Sequence, residues 1–576
     1  MSKISRRQFL AAGTVAAGGL LVREPEAAHA AASLPDGAAP AASAASRPVR
    51  DYRIECGWIE KTLDGTRARL RAYNGQIPGP VLEMRPGETV RVRLHNKLTP
   101  HSSAGWNGDH NVPHELGSTN LHFHGLEIAP HLFEPLGTGN PLAPMVRVGP
   151  GESKDYVIRV PENHPSGLYW YHSHHHGSTA VQSVSGMAGG IVVRGAIDEV
   201  PEIRAAREEF LVVNDIGLFP SEDPSSGVWE YSPRQNSIWQ TFGGNVTVWN
   251  PATQKAEPSN LKCGFTTGDY PLRYMLVNGE PFYKEEHNPA NPQEPTGTQL
   301  GYPTIEMRPG EVVRFRMLNA NSDNFMPMIV EGHEVHLIAL DGVNFDAVRT
   351  VAAPSTPNPT PQFSLAPANR AEFLVRAGRP GTYLIRELEQ DEQFLDSGGK
   401  VVAAIRVAGA PKPMRLPTTL PKPARHWPLI REDEIVRRRQ VVFSSQFPGK
   451  LNPAVGIDFL INGAQYDELE VPVVAELGTA EEWELQVLGD HAHGSEGHPF
   501  HIHINSFEVI SVGDTTYPAG TIQDTLWVPA NTTAVIRTRF REWTGKSVFH
   551  CHILPHEDTG MMQNFLVVTP RREHHG

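Results

Sequence analysis

The sequence predicts an all-β protein built from three Greek-key β-sandwich domains, and two observations carry this prediction. Residues 80–94 read as a strand, a Pro-Gly turn and a second strand, and residues 303–317 repeat that pattern almost position by position. Short, evenly spaced strand patterns separated by turn signals fill the rest of the chain, and no long amphipathic helix pattern interrupts them. The 52 glycines and 50 prolines suit such a turn-rich protein.

A second internal repeat indicates that the unit occurs three times. The segments 167–172, 381–386 and 545–550 each begin with Gly and continue as a strand pattern. We therefore place the three domains at residues 46–198, 205–410 and 425–570. The segment 410–423, which contains several Pro and Lys residues, is the predicted second linker.

Residues 1–30 are predicted to be a twin-arginine signal peptide and no part of the fold. Arg6 and Arg7 precede a short apolar run at 10–22, and residues 28–30 read Ala-His-Ala, a cleavage signal. The run is too short and too rich in Ala and Gly to span a bilayer, and no other stretch has the length and apolarity of a membrane helix. We expect a soluble periplasmic protein without membrane insertion, exported in the folded state.

The net charge and the cysteine content limit the possible partners and disulfides of the protein. The formal charge of −13 becomes −15 without residues 1–30, which carry four basic and two acidic side chains. An acidic chain argues against nucleic acid as a partner, and we expect a monomer. Of the three cysteines, Cys56 and Cys263 either form a disulfide between the first two domains or remain two separate buried thiols. The sequence favours neither alternative.

The segment from His550 to Met561 is the most informative part of the chain, because it reads H-C-H-x3-H-x4-M. If the strand that precedes it continues, Cys551 points to one face and His550 and His552 point to the other. A thiolate with two imidazoles and a weak axial thioether is a blue-copper ligand set. The two flanking histidines imply a second copper centre that is covalently joined to the first.

Four H-x-H pairs supply that second centre. A pair on a strand presents both imidazoles on one face, and eight imidazoles suit three copper ions better than one. One such pair is weak evidence for metal binding in a chain with 27 histidines. Four pairs together with the cysteine segment are much stronger evidence, because all of these motifs occur in one chain. His498 has a different offset, which suits a ligand that joins Cys551, His556 and Met561. The pairs are His122/His124, His172/His174, His501/His503 and His550/His552.

Other histidines fit these centres less well. His491 and His493 also form an H-x-H pair, but they lie in a Gly- and Asp-rich loop and are expected to be solvated. His175 and His176 are expected at the turn that follows His174. The tail histidines His574 and His575 are expected to be exposed.

The middle repeat lacks the ligand pattern of its siblings. It has Arg386 and Leu388 where they carry histidines, and Met326 and Met328 near the position of the first pair. We expect these methionines to pack in the core and the middle domain to be a structural spacer. Since every pair comes from the first or third domain, the cluster is expected at the interface of those two domains.

These motifs resemble the four copper motifs of the multicopper oxidases, and the match extends from about residue 52 to residue 568. The chain is most similar to the bacterial three-domain laccases and cuproxidases. The resemblance implies cupredoxin-like sandwiches and four copper ions: one type 1, one type 2 and two type 3. By the family pattern, type 2 copper would be held by His122 and His501, the type 3 pair by His124, His172, His174, His503, His550 and His552, and type 1 copper by His498, Cys551, His556 and Met561.

The resemblance also implies an oxidase in which type 1 copper accepts single electrons and the cluster reduces O2 to water. The expected partners are O2 and small phenols or aromatic amines. Oxidation of Cu(I) in copper tolerance is one alternative, and a copper-binding periplasmic scaffold protein is another. Many cuproxidases carry a Met-rich insert before the last motifs, whereas residues 423–498 contain no methionine, which weakens the first alternative.

Reduction of O2 requires protons, and two glutamates are candidate catalytic residues. Glu557 follows His556, as an acidic residue does in similar bacterial laccases, where it is implicated in proton delivery; its alternative role is to accept a hydrogen bond from a ligand histidine. The family's aspartate after the first motif falls here at Phe133, so Glu134 is the nearest substitute, and Asp558 is a further candidate. Met562 is the second choice after Met561 for the axial ligand.

Overall fold

The computed structural model is an all-β structure in which three hydrophobic cores lie between pairs of sheets. The predicted signal peptide, Cys263, His491, His493 and the tail histidines lie outside the described residues. The described residues are 48–100, 108–221, 226–231, 246–250, 255–259, 270, 272–288, 291–389, 399–423, 429–446, 450–451, 457–489 and 497–570.

The first sandwich packs the sheet β3-β8-β7-β5 against a sheet that contains β2, β1, β4 and β6. Ile54, Leu82, Phe123 and Tyr156 are buried in its core. Strand β4 alternates between buried and exposed residues, as expected for a sheet with one solvated face. Its strands are β1 Val49–Leu63, β2 Thr66–Tyr73, β3 Gly79–Met84, β4 Thr89–Asn96, β5 His122–His124, β6 Ser153–Arg159, β7 Gly167–His172 and β8 Ala188–Val193.

The second sandwich has a core that includes Phe315, Ile338 and Phe373, and Met326 and Met328 lie in this core as expected. The remaining strands in chain order are β9 Arg207–Pro220, β10 Val228–Glu230, β11 Val246–Asn250, β12 Lys255–Ser259, β13 Leu272–Val277, β14 Glu280–Asn288, β15 Asn291–Gln299, β16 Thr304–Met307, β17 Val312–Asn319, β18 Met326–Val330, β19 Val335–Leu340, β20 Val343–Val351, β21 Phe363–Leu365, β22 Arg370–Arg376, β23 Gly381–Glu387 and β24 Lys400–Val407.

The sheets of this sandwich are not separate from those of the first. One sheet has the order β16-β24-β23-β18-β21, and the other contains β20-β19-β22-β17-β9. Strand β9 pairs with β10, and β10 pairs with β2 of the first sandwich. A single 13-stranded sheet therefore runs through both sandwiches, a continuity that the sequence repeats do not predict.

The third sandwich is built around Trp483, Leu485, Phe500 and Phe549. Its sheets have the orders β27-β36-β35-β29-β33 and β26-β25-β28-β34-β30-β31, with β32 paired to β30. The strands are β25 Ile435–Gln446, β26 Asp458–Ile461, β27 Val473–Glu476, β28 Ala480–Val487, β29 His498–Ile502, β30 Phe507–Val512, β31 Thr515–Thr516, β32 Ile522–Gln523, β33 Thr525–Val528, β34 Thr533–Arg539, β35 Gly545–Cys551 and β36 Met562–Val568.

In the part of the chain that the structure describes, helical structure is limited to short segments. Within the described residues, no helix combines the length and the apolar character that crossing a membrane requires. The α-helices are Thr179–Ser183, Pro201–Ala205 and Leu554–Asp558, and the 3-10 helices are Ala196–Glu199 and Glu432–Glu434.

The sequence repeats correspond to repeated structure. Gly87 and Gly310 in the two Pro-Gly turns have φ values of 81° and 80°, a left-handed conformation that glycine adopts at little cost. The hairpin partners are also equivalent, since β5 pairs with β7, β18 with β23, and β29 with β35. Each predicted domain thus contains a core and one such strand pair, while the domain boundaries at 46–198, 205–410 and 425–570 stay a prediction.

Cys56 is buried in the first core, and burial raises the pKa of its thiol to about 12. Its sulfur donates a hydrogen bond to Asn96 Oδ1 at 3.4 Å. Because Cys263 lies outside the described residues, the choice between a disulfide and two thiols stays open.

Candidate metal centres

Strand pairing places the predicted histidines on shared faces. His122 lies opposite His172 in the β5–β7 pair, and His501 lies opposite His550 in the β29–β35 pair. Residues directly opposite each other in antiparallel strands point to the same face of the sheet. The same β29–β35 register puts Cys551 opposite Phe500, on the other face, as the alternation of a strand requires.

The imidazoles of the first and third sandwiches interleave at the interface between them. The ring of His122 stacks on that of His503 at a centroid distance of 3.8 Å, and the ring of His124 stacks on that of His501 at 3.9 Å. The ring of His552 lies 5.1 Å from the ring of His124. None of the eight predicted cluster histidines is more than 2% exposed. The structure therefore brings the four H-x-H pairs together.

Burial keeps these imidazoles neutral. Removal from water lowers the pKa of His172 to about 4 and the pKa values of His501 and His550 to about 3, and it lowers those of the other five well below the ordinary value. Neighbouring rings add to the shift for most of them, because two imidazolium ions in contact repel each other. A neutral imidazole is the form that binds a metal ion.

Main-chain carbonyls set the tautomer of three rings. A carbonyl oxygen only accepts, so Nδ1 of His172 donates to Ser173 O at 2.7 Å, Nδ1 of His550 to Cys551 O at 2.9 Å, and Nδ1 of His501 to Asp524 O at 2.7 Å. The lone pair of each ring then lies on Nε2. Nε2 of His172 and of His501 is buried and makes no hydrogen bond within the described residues.

Side chains set the tautomer of two further rings. His131 Nε2 accepts the Phe123 N–H at 3.1 Å, so this nitrogen carries no proton, and His122 Nδ1 donates to it at 3.3 Å. The buried Nε2 of His122 is left without a hydrogen-bond partner within the described structure. His124 has the opposite arrangement, because its Nε2 donates to Asp524 Oδ1 at 3.2 Å and its buried Nδ1 makes no hydrogen bond there.

The spacing of three nitrogens suits one metal ion. His550 Nε2 lies 3.2 Å from His174 Nε2 and 3.3 Å from His503 Nε2. Two nitrogen ligands about 2.0 Å from an ion in tetrahedral geometry are separated by roughly 3.3 Å. Three buried imidazole nitrogens that converge at this distance fit copper as a resident group.

A second group of side chains lies on the Cys551 face. Cys551 Sγ is 3.4 Å from His498 Nδ1 and 3.8 Å from His556 Nδ1. The Ile553 N–H donates to Cys551 Sγ at 3.4 Å, which stabilises the thiolate. The ring of His556 stacks on Phe459 at 4.0 Å. One thiolate and two imidazoles within reach of a single ion fit the blue-copper set.

The two methionines that follow lie in different surroundings. Met561 is buried in the same hydrophobic cluster as Cys551 and Ile553, and its N–H donates to His556 O at 2.9 Å. Met562 belongs to a separate cluster with Phe133 and Val548. The structure thus places Met561, rather than Met562, on the side of Cys551.

Glu557 lies between the imidazoles of the two sandwiches. Its carboxylate oxygens are 3.3 Å from His174 Nδ1 and 3.2 Å from His550 Nδ1, and its side chain is buried. Burial and the neighbouring carboxylate of Asp558 raise the pKa of Glu557 well above its ordinary value. Asp558 accepts the Gly177 N–H at 2.7 Å and the Ala180 N–H at 2.8 Å, while burial raises its pKa.

Glu134 lies at the protein surface. Its side chain is 48% exposed and forms an ion pair with Lys154. The reason is that Phe133 turns inward, into the cluster with Met562, and the next residue consequently faces solvent. The surface position and the ion pair with Lys154 argue against the catalytic role predicted for Glu134.

Sequence reasoning missed three residues that contact the cluster or its partners. His131 and Asp524 contact cluster histidines directly, and Arg370 holds Asp524. None lies in a recognisable motif, and the only local signal is that His131 follows His124 by seven residues. His176, expected at a turn, is there but is buried, with Nε2 3.3 Å from Asn111 Oδ1.

Family models described as multicopper oxidase match three parts of the chain, residues 55–117 with 111–197, 249–410 and 437–571. These matches include all four histidine pairs and the segment from His550 to Met561. The chain belongs to the multicopper oxidase family. It is accordingly an oxidase that binds copper, and its sandwiches are the cupredoxin-like domains of that family.

Individual relatives are distant but extend over most of the chain. Laccase-2 of Trametes villosa is 24% identical over 543 residues, with 86% of each chain covered, and the multicopper oxidase mco of Staphylococcus aureus is 22% identical, with 86% and 84% covered. The solved multicopper oxidase from Campylobacter jejuni, a metallo-oxidase, matches with a TM-score of 0.63 at 20% identity and covers 91% of this chain and 93% of its own. A laccase-like multi-copper oxidase from Ochrobactrum sp. matches with a TM-score of 0.62 at 21% identity and covers 90% and 99%.

Proposed function

We propose that this multicopper oxidase is of the laccase type and couples one-electron oxidation of phenols and aromatic amines to the four-electron reduction of O2 to water. The observation that supports this best is the connection between the two centres. Cys551 lies with His498 and His556, while its neighbours His550 and His552 lie among the cluster imidazoles. When bound, four copper ions would supply the one-electron and oxygen chemistry.

The proposed ligand assignment follows the family pattern, and two features of the structure support it. His174, His503 and His550 form one close group, and the ring of His552 lies near those of His124 and His172. Type 1 copper would be held by His498, Cys551, His556 and Met561; type 2 by His122 and His501; and the type 3 pair by His124, His172 and His552 on one ion and His174, His503 and His550 on the other.

The protein's own contribution is to keep these groups dry, neutral and oriented. The buried rings stay unprotonated at neutral pH, so all of them are available as ligands. Glu557, held between His174 and His550, is the side chain best placed to hold a proton beside the cluster. Its raised pKa suits a carboxyl group that remains protonated until a proton is required.

The laccase type is supported by the relatives that are named laccase, one of which aligns with 86% of this chain.

Copper loading and oxygen consumption test the proposal. The loaded wild-type protein is expected to be blue and to consume O2 with a methoxyphenol. Cys551→Ser should abolish both the blue absorption and the O2 consumption, and Cys56→Ser, which alters the buried thiol of the first sandwich, should retain both. A blue band that persists in Cys551→Ser would contradict the proposal.

The same assay distinguishes phenols from Cu(I) as the electron donor. Oxidation of Cu(I) would require surface thioethers near the type 1 group, and residues 423–498 supply none. Phenol oxidation is therefore expected without added copper in the fully loaded enzyme. Activity that occurs only with excess Cu(II) would instead indicate a cuproxidase, and copper binding without O2 consumption would indicate a scaffold protein.

We further propose export to the periplasm by the twin-arginine route. The support is the pair Arg6 and Arg7 ahead of the apolar run at 10–22. Replacing both arginines with lysine should leave the protein in the cytoplasm, as measured by fractionation. Periplasmic protein at the wild-type level would exclude this route.

A further inference from the structure

A buried ion pair connects the second and third sandwiches beside the imidazole cluster. Arg370, the first residue of β22, donates from Nη1 to Asp524 Oδ1 at 2.9 Å and from Nη2 to Asp524 Oδ2 at 2.6 Å. The side chains are 0% and 2% exposed. This two-point contact matches the planar guanidinium fork to both carboxylate oxygens.

Asp524 contacts two cluster histidines in different ways. Its Oδ1 accepts from His124 Nε2, and its main-chain oxygen accepts from His501 Nδ1. Since an ionised carboxylate only accepts, the proton of His124 must lie on Nε2, and Nδ1 is left for a metal ion. One residue therefore orients a ring from the first sandwich and a ring from the third, and these two rings stack on each other.

Arg370 is in turn fixed by contacts to the first two sandwiches. Its Nε donates to Leu168 O at 3.1 Å, on the strand that ends at His172, and its main-chain N–H donates to Asp341 Oδ1 at 3.0 Å. The preceding residue, Asn369, donates to Thr525 O at 2.9 Å. The guanidinium group thus contacts all three sandwiches, through Leu168 O, Ala368 O and the Asp524 carboxylate.

The space around the ion pair is closely filled. A Cβ atom on Gly125, the residue after His124, would lie 2.4 Å from Arg370 Nη2 and 2.5 Å from Asp524 Oδ2. Gly125 also has a φ of 81°. The main chain after the first histidine pair therefore approaches the ion pair as closely as a glycine allows, which leaves no room for the guanidinium to adopt a second position on that side.

Asp524 is close enough to His124 and His501 to be considered a metal ligand itself. Both of its carboxylate oxygens are, however, already engaged by Arg370, and Oδ1 also accepts from Thr525 Oγ1 at 2.9 Å. Its lone pairs are directed at protein donors rather than at the unpaired nitrogens of the cluster. This favours a role in orienting the imidazoles.

We propose that Arg370 is a positioning residue for the copper cluster: by holding Asp524 it fixes the tautomer of His124 and the ring orientation of His501. The inference rests on the proposed copper assignment and extends it. The second sandwich, which supplies no predicted ligand, then contributes a residue that shapes the cluster, and it is more than a spacer.

The test compares Arg370→Lys and Asp524→Asn with the wild-type chain after copper loading. Lysine keeps the charge but lacks the fork, and asparagine keeps the volume but presents an N–H group to either Arg370 or His124. The electron paramagnetic resonance signal of type 2 copper is expected to shift or disappear in both variants, with loss of bound copper. The blue type 1 absorption per chain, an internal reference, is expected to stay unchanged.

Arg316→Lys is the matched control. Arg316 is also 0% exposed and lies in the second sandwich, where it pairs with Glu372 at 2.7 Å and Glu208 at 2.9 Å. Its substitution should lower stability but leave the type 2 signal in place. The proposal is overturned if the type 2 signal is unchanged in both test variants, or if Arg316→Lys alters it to the same extent.

Two further outcomes separate this inference from the function it rests on. If the wild-type chain takes up no copper, the proposed function itself fails, and this is seen before any substitution is made. If Arg370→Lys does not fold, Asp524→Asn decides alone, because it leaves the guanidinium in place. Parallel loss of the type 1 and type 2 signals in Asp524→Asn would indicate general unfolding and would contradict a positioning role.

Discussion

At the scale of single residues, the surroundings of Met561 bear on the reduction potential of type 1 copper. Met561 lies in the hydrophobic cluster of Cys551, and a weak axial thioether there would donate to Cu(II) and favour the oxidised state. Met561→Leu is therefore expected to raise the type 1 reduction potential in a redox titration, with the blue colour retained. Met562→Leu, in a different cluster, should leave the potential unchanged. A lower potential in the first variant, or an equal rise in the second, would exclude the axial role of Met561.

Glu557 provides a second prediction at this scale. Its carboxyl group is the acid nearest to His174 and His550, so Glu557→Gln should slow O2 reduction by roughly 10²-fold or more, the usual contribution of a positioned proton donor. Anaerobic reduction of the blue centre by a phenol should be unaffected, since that step needs no such proton. Glu134→Gln, on the surface, is the matched control and should turn over at the wild-type rate. Unchanged turnover in Glu557→Gln would contradict this account.

At the scale of elements, strand β8 supports the hairpin that carries His172. A Cβ atom on Gly189 would lie 2.3 Å from Tyr171 Cζ, and the ring cannot move easily because its hydroxyl donates to Pro80 O at 2.8 Å. Gly189→Ala is expected to lower the free energy of unfolding by about 1–3 kcal/mol through overpacking. Gly190→Ala should have an effect below about 1 kcal/mol, because the nearest atom would be 3.8 Å away. Equal urea midpoints for the two variants would contradict this packing argument.

The same scale shows what the sequence could and could not predict. Period-2 alternation and H-x-H spacing predicted which histidines share a face, and the pairing of His122 with His172 and of His501 with His550 agrees with that. Local patterns do not contain long-range packing, and this is why Asp524 was missed: its partners His124 and Arg370 lie 400 and 154 residues away in the chain.

Glu134 is the converse case, because its side chain faces solvent. The choice relied on sequence distance from the first motif, whereas the direction of a side chain depends on which neighbour is buried. Phe133 takes the inward position because an aromatic ring gains more from burial than a carboxylate does. The continuous sheet through β9, β10 and β2 could not be predicted either, since a sequence repeat does not indicate how its two copies pair with each other.

At the scale of the whole molecule, the interface of the first and third sandwiches buries many neutral imidazoles. Their pKa values, about 3 to 4 for His172, His501 and His550, lie below that of about 6.5 for an unfolded histidine. The unfolded state then binds more protons as pH falls from 6.5, so stability falls in the same direction. The buried carboxyls with raised pKa, Glu557, Asp558, Asp323 and Asp341, act in the opposite direction but are fewer than the imidazoles.

Copper-free protein is therefore expected to unfold at a lower urea concentration at pH 5 than at pH 7. Copper binding should raise the midpoint at pH 7, because metal bound only to the folded state stabilises it. A midpoint that is higher at pH 5 than at pH 7 would show that the carboxyls outweigh the imidazoles.

The central claim is that one short segment, His550 to His552, joins a type 1 site to a cluster of three copper ions at the interface of the first and third sandwiches. Anomalous diffraction at the copper edge from crystals of the copper-loaded chain tests this claim most directly. The account predicts one peak among His498, Cys551 and His556 and three peaks among the eight interface imidazoles. Copper at only one of the two positions, or at histidines outside both, would contradict it.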